Sequence, residues 1–111
     1  MKLWIDDVRP APENGCAWCK STNGAYDFIT SREEFHRDDP LLIDLDHDAG
    51  EWSSNGGDYI EILKILEQLY WMHKEWKDYI DKQVTFHIHS MNTVGVENMR
   101  RIIQKNGWKE I

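Results

Sequence analysis

The sequence predicts an α/β protein built on a doubly wound, mostly parallel sheet of order 2-1-3-4, with a short fifth strand or a tail at its end. Three observations predict it. Short apolar segments alternate with segments of helical period. Three of the apolar segments run directly into Asp or His at their C-terminal end. The 111 residues match one domain, residues 1–111, with a single core burying roughly two-thirds of the unfolded surface. Strand–helix alternation of this kind is expected to place helices on both sheet faces through right-handed crossovers.

Residues 2–6 read as a buried strand ending in Asp6-Asp7. Val8 to Gly15 is a loop, because two prolines and a glycine block regular structure. Residues 17–20 are a second strand. Ser21-Thr22-Asn23 offers a cap for a helix to about Phe35, and Asp38-Asp39-Pro40 breaks the chain. Leu41 to Asp46 is a third strand, followed by a Gly/Ser/Asn-rich loop from His47 to Gly57. From Asp58, the residues Ile62, Leu66, Leu69, Met72 (or His73), Trp76 and Tyr79 (or Ile80) recur at helical spacing. They form one helix or two broken near His73. Val84 to His89 is a fourth strand, and Asn92 or Thr93 caps a last helix through about Lys105. Asn106-Gly107 stops that helix, and Trp108–Ile111 is an edge strand or a tail.

Charge and composition exclude several function classes. Twenty acidic against thirteen basic residues give a net charge of −7, with no basic run, so direct binding of duplex nucleic acid is not expected. A phosphate-bearing ligand fits if a bound cation reverses the local charge. No apolar stretch spans a membrane, and the N-terminus turns acidic too early for a signal peptide. A cytoplasmic location is the expectation. Cys16 and Cys19 form a lone CxxC, which reads as two reduced thiols ahead of a redox pair or half a zinc site. The six Trp read first as packing residues; stacking of Trp52 on a nucleobase is the sharper alternative. His36 and His73 read as structural. A homodimer is an open expectation.

The chemistry collects at strand ends. Asp6 and Asp7 end strand one, Asp46 ends strand three with His47 and Asp48 behind it, and His89-Ser90 ends strand four ahead of Asn92. In an open parallel sheet, ligands bind outside the carboxyl ends of the strands. Convergent carboxylates repel unless a cation is present, so Asp6, Asp7 and Asp46 are the expected ligands of a divalent ion. Mg²⁺ or Mn²⁺ suits them, and the histidines extend the choice to Zn²⁺ or Fe²⁺. Any single Asp serves as well to cap a turn; it is the joint pattern that favours a site. His87 and His89 share one sheet face, and His89 is nearer the edge. His89, His47 and Asp48 are therefore the candidate catalytic residues. Ser90 and Asn92, with the helix start behind them, are candidate phosphate contacts. Arg9 either holds a phosphate or pairs with Asp7 or Glu13.

Leu3-Trp4-Ile5-Asp6-Asp7-Val8-Arg9-Pro10-Ala11-Pro12, Ile43-Asp44-Leu45-Asp46-His47-Asp48 and His87-Ile88-His89-Ser90-Met91-Asn92 with Gly95 together resemble the receiver-like family proposed to process cyclic phosphates. The resemblance spans nearly the whole chain. It implies a receiver-like, flavodoxin-like sheet of order 2-1-3-4-5. It also implies a magnesium-binding acidic pair at Asp6 and Asp7, the phosphoacceptor position at Asp46, and a hydroxyl position at Ser90. The lysine that ordinary receivers carry at the end of strand five has only Lys105 or Lys109 as candidates, and His47, His87 and His89 are foreign to a phosphorelay. Ala49, Asp44 and the long stretch from Tyr70 to Gln83 also depart from the family pattern.

Three functions follow, in order. The first is a metal-dependent phosphoesterase acting on a cyclic phosphate or nucleotide-like phosphate, with the Gly-rich loop after strand three as a mobile lid. The second is a non-enzymatic degenerate receiver that binds a nucleotide or a protein partner. The third is an aspartyl-phosphate switch.

Overall fold

The computed structural model describes residues 1–35 and 38–111, with the side chains of 32–35 left aside; His36 lies outside the described residues. The chain folds as β1 (Lys2–Ile5), β2 (Ala17–Cys19), α1 (Thr22–Phe35), β3 (Leu41–Leu45), a 3₁₀ turn (Gly50–Ser54), α2 (Ile60–Met72), α3 (Lys74–Gln83), β4 (Val84–Ile88), α4 (Thr93–Lys105) and β5 (Lys109–Glu110). All five strands are parallel, in the order β2-β1-β3-β4-β5. This is the receiver-like arrangement expected, and Lys109–Glu110 is a strand rather than a tail.

Local chemistry sets the element ends. Ser21 Oγ accepts the Gly24 N–H at 3.0 Å, and Asn92 Oδ1 accepts the Gly95 N–H at 2.9 Å, each satisfying a donor in a first helical turn. The long helical pattern is two helices. His73 is extended between them (φ −133°, ψ 121°). The buried stripe also differs from the periodic reading: Leu63 and Tyr70 join Ile62 and Leu66 in the core, while Met72 is 74% exposed. Asp58 lies outside α2, because its carboxylate accepts the Ala49 N–H across the preceding loop.

Leu3, Ile5, Ile43, Leu45 and Phe86 share one sheet face. They form a single apolar cluster with Ala25 and Ile29 of α1, Leu63 and Leu66 of α2, Ile80 of α3, and Met99 and Ile103 of α4. Trp4, Asp44 and His87 are register partners of the opposite parity and take no part in that cluster. The described helices therefore lie on one face, which corrects the expectation of helices on both. The cause is the winding. The step from β1 to β2 runs one way, and every later step runs the other. Right-handed crossovers then put the β1–β2 connection alone on the second face, and that connection holds no helix. It folds back as a roof instead: Trp4 Nε1 donates to Arg9 O (2.9 Å), and Lys2 Nζ donates to Glu13 (3.1 Å).

Candidate functional site

Asp6, Asp7 and Asp46 converge at the carboxyl edge of β1 and β3, each offering an oxygen within 4.8 Å of the others. Their positions are fixed locally. Asp6 Oδ1 accepts the N–H groups of Val8 (2.9 Å) and Arg9 (2.8 Å), and Asp46 Oδ1 accepts the His47 N–H (2.8 Å). Asp6 is 1% exposed. Burial works against its charge, but the Arg9 and Val8 N–H groups and His89 outweigh it, so its carboxyl is held below the usual range. Burial, with the charges of Asp6 and Asp46, holds Asp7 above that range. The buried Tyr59 phenol beneath the edge is pushed up by burial and then by Asp7, Asp6, Asp46 and Asp58. A strongly negative, partly desolvated cluster of oxygens is a donor set for a hard divalent cation. The loop after β3 packs on it: a Cβ at Gly50 (φ +56°) would collide with Asp7 Oδ2.

A second group, His47, Asp48 and Asp58, also brings its ligand atoms within 4.8 Å, and its mixed N/O donors suit a transition metal better than Mg²⁺. His47 Nδ1 lies 2.8 Å from Asp48 Oδ1, and the ring rests on the backbone of Gly95. The Asn92 amide reaches Asp48 Oδ1 at 3.4 Å. Ser90 Oγ is taken up by the Asn92 N–H at 3.1 Å. The Arg9 guanidinium has no partner among the described residues; Glu13 pairs with Lys2 instead.

His89 is the most constrained of the histidines. Its Nε2 faces Asp6 Oδ2 (3.0 Å), its Nδ1 faces Asp44 Oδ1 (2.6 Å), and its ring stacks on Trp4 (centroids 3.8 Å apart, planes within 3°). An imidazolium donating twice satisfies both carboxylates. Burial opposes the charge, but Asp44 and Asp6 outweigh it and hold the imidazole above its ordinary value. With both nitrogens engaged, His89 holds Asp6 in place. His87 differs: Nδ1 bonds the same Asp44 Oδ1 (2.9 Å), Nε2 has no partner among the described residues, and the side chain is 41% exposed.

Sequence reasoning missed Asp44 and Asp58. Asp44, 4% exposed, joins His87, His89 and Lys2 (3.5 Å) in one network. The signal was the shared parity of Trp4, Asp44 and His87 in adjacent strands.

One expectation changes. The loop from His47 to Gly57 is tied down rather than free to close as a lid: Asn23 N–H donates to Asn55 O (3.0 Å), Thr22 Oγ1 to Gly57 O (3.2 Å) and Tyr59 N–H to His47 O (3.0 Å). Trp52 packs half-buried against the core, with Lys20 Nζ 6.0 Å above its ring, so stacking on a base would displace both. Neither candidate lysine stands at the edge: Lys105 pairs with Glu67 (3.5 Å), and Lys109 sits opposite Thr85 with its Nζ on Lys82 O (3.3 Å). Cys16 and Cys19 are free thiols, and burial pushes the Cys19 thiol up, away from reactivity.

An all-parallel α/β sheet carrying an acidic pair after β1 and an Asp after β3 defines a receiver-class protein. The chain belongs to the family of cyclic-phosphate processing receiver domains, whose sequence pattern it matches over residues 1–105. No curated protein and no solved structure matches it. Among the described residues, no helix is long and apolar enough to cross a membrane.

Proposed function

We propose that the chain is a metal-dependent phosphoric ester hydrolase acting on a cyclic phosphate, carried on a small molecule or a nucleotide. The observation that carries this reading is the convergence of Asp6, Asp7 and Asp46 at the sheet edge beside the His47–Asp48 pair. Asp7 is held above the usual carboxylate range by its burial and its neighbours, the condition that a bound cation relieves. Mg²⁺ or Mn²⁺ suits this oxygen set, and such an ion supplies Lewis acidity to the phosphoryl oxygens. The His47, Asp48 and Asp58 group extends the choice to Zn²⁺ or Fe²⁺.

The chain's own groups then have distinct tasks. His89, bonded to both Asp44 and Asp6, orients Asp6. His47, with its Nδ1 on Asp48, moves a proton at its other nitrogen. The Arg9 guanidinium, without a partner among the described residues, and the N-terminus of α4, behind Asn92, receive phosphate oxygens. The displacement of Lys105 and Lys109 from the edge weighs against an aspartyl-phosphate switch.

Titration calorimetry of metal-stripped protein with Mg²⁺, Mn²⁺ and Zn²⁺, beside the Asp46→Asn variant, tests the reading. The expected result is Mn²⁺ binding that weakens by about a hundredfold in the variant, with loss of turnover of cyclic phosphates. Cation and phosphate binding without turnover would favour the binding-module alternative. Absence of binding by any ion would remove the metal site.

A further inference from the structure

The helix-free face of the sheet carries a histidine, His87, that the edge site does not use. Asp44 is buried, and His87 stands opposite it in register on β4. His87 Nδ1 is held on Asp44 Oδ1 at 2.9 Å, and the side chain is 41% exposed, with no partner for Nε2 among the described residues. A buried carboxylate fixing one imidazole nitrogen, with the other presented to solvent, is the geometry of a proton-transfer pair. Lys2 Nζ, 3.5 Å from Asp44 Oδ2, and His89, 2.6 Å from Oδ1, hold the carboxylate in place. The roof formed by residues 6–16 bonds to Lys2 and Trp4 on β1, which leaves His87 on β4 open.

Resting on the hydrolase reading, we infer that His87 is the general acid that protonates the leaving alcohol, and that the substrate lies from the acidic edge onto the open sheet face. Asp46 is two residues beyond Asp44, the register partner of His87. Strand spacing and rise put the two Cα atoms about 8 Å apart, within reach of a single phosphodiester group held between their side chains. In the step, a water oxygen bonds to phosphorus as the P–O bond to the ring alcohol breaks. The departing oxygen takes the proton from Nε2 of the His87 imidazolium, and the proton released by the attacking water restores the imidazolium through solvent. The product is the ring-opened monoester, with one water consumed. The leaving group this favours is an alkoxide, which needs a proton, rather than an aryl oxide, which does not.

The test compares wild type with His87→Ala and His87→Gln, with Mn²⁺, on two probes. These are nucleoside 2′,3′-cyclic phosphates, which expel an alkoxide, and bis(p-nitrophenyl) phosphate, which expels a stable aryl oxide. The expected result is that the ratio of the cyclic-phosphate rate to the aryl-ester rate falls about a hundredfold in both variants, the scale of general acid catalysis. Added imidazole should restore part of the cyclic-phosphate rate to His87→Ala. An unchanged ratio, whether both rates fall together or neither falls, would overturn the assignment of His87 while leaving the hydrolase reading intact. A wild type that opens no cyclic phosphate would overturn both. Mn²⁺ titration of the same variants separates a fold defect, which abolishes cation binding, from a lost proton donor, which does not.

Discussion

Gly95 shows how one residue sets the chemistry of another. It lies in the first turn of α4, and an added Cβ would stand 2.5 Å from two carbons of the His47 ring and 2.8 Å from Nδ1. Ala is ordinarily the better helix residue by about 1 kcal/mol. Here the clash opposes that gain, because the ring must leave the position from which it bonds Asp48. Gly95→Ala is expected to destabilise the protein by about 1–2 kcal/mol in urea denaturation and to shift the His47 ring resonances in NMR spectra. The acidic candidates were legible at this scale, since an Asp directly after an apolar run is a local pattern. The different settings of His87 and His89 were not. They depend on Asp44, 43 and 45 residues away in sequence, and on the β3–β4 register that brings Asp44 to both rings. Proximity to the edge favoured His89, yet His89 has both nitrogens engaged and His87 has one to spare.

The hairpin of α2 and α3 makes the same point one level up. The sequence allowed one helix or a break near His73, and the break is there. What holds the two pieces together was hidden, because it depends on how they pack. Tyr70, 5% exposed on α2, donates its hydroxyl to Asp81 Oδ1 on α3 at 2.7 Å. Lys77 donates to Asp81 Oδ2 at 3.0 Å and lies 4.9 Å above the Tyr70 ring. Tyr70→Phe keeps the ring and removes one hydrogen bond to a carboxylate. It is expected to cost about 1 kcal/mol in urea denaturation, because Asp81 is exposed enough for water to take the place of the lost hydroxyl. Glycines and small polar residues dominate the loop after β3, and that composition alone predicts mobility. The bonds from Thr22, Asn23 and Tyr59 that fasten it come from residues outside that composition.

At the scale of the whole molecule, the placement of the described helices on one face follows from a loop that the sequence reveals. Once the β1–β2 connection holds no helix, right-handed winding leaves that face without one. The exposed side of the sheet then has to be stabilised by polar groups, and the Lys2–Asp44–His89–Asp6 network does so. This ties the stability of the fold to pH. Burial raises the Asp44 carboxyl, but hydrogen bonds from His89 and His87 and their charges outweigh it, so its folded value lies below the unfolded 3.8. Its contribution is complete above 3.8 and is lost as pH falls through the lower folded value. His89 is held above its unfolded 6.5, so its contribution is complete below 6.5 and is lost as pH rises through the higher folded value. Both are complete only between 3.8 and 6.5. Removing one member of a buried charged pair costs about 3 kcal/mol. The gap in unfolding free energy between wild type and Asp44→Asn is therefore expected to peak near that size at about pH 5.5 and to narrow toward about pH 9 and about pH 3. Urea denaturation of both proteins at the three pH values measures it. A gap that is flat across the range would show that the side chains on the open face interact as neutral groups, and His89 would then stand as a neutral packing partner of Trp4 rather than as the charge that holds Asp6 at the edge.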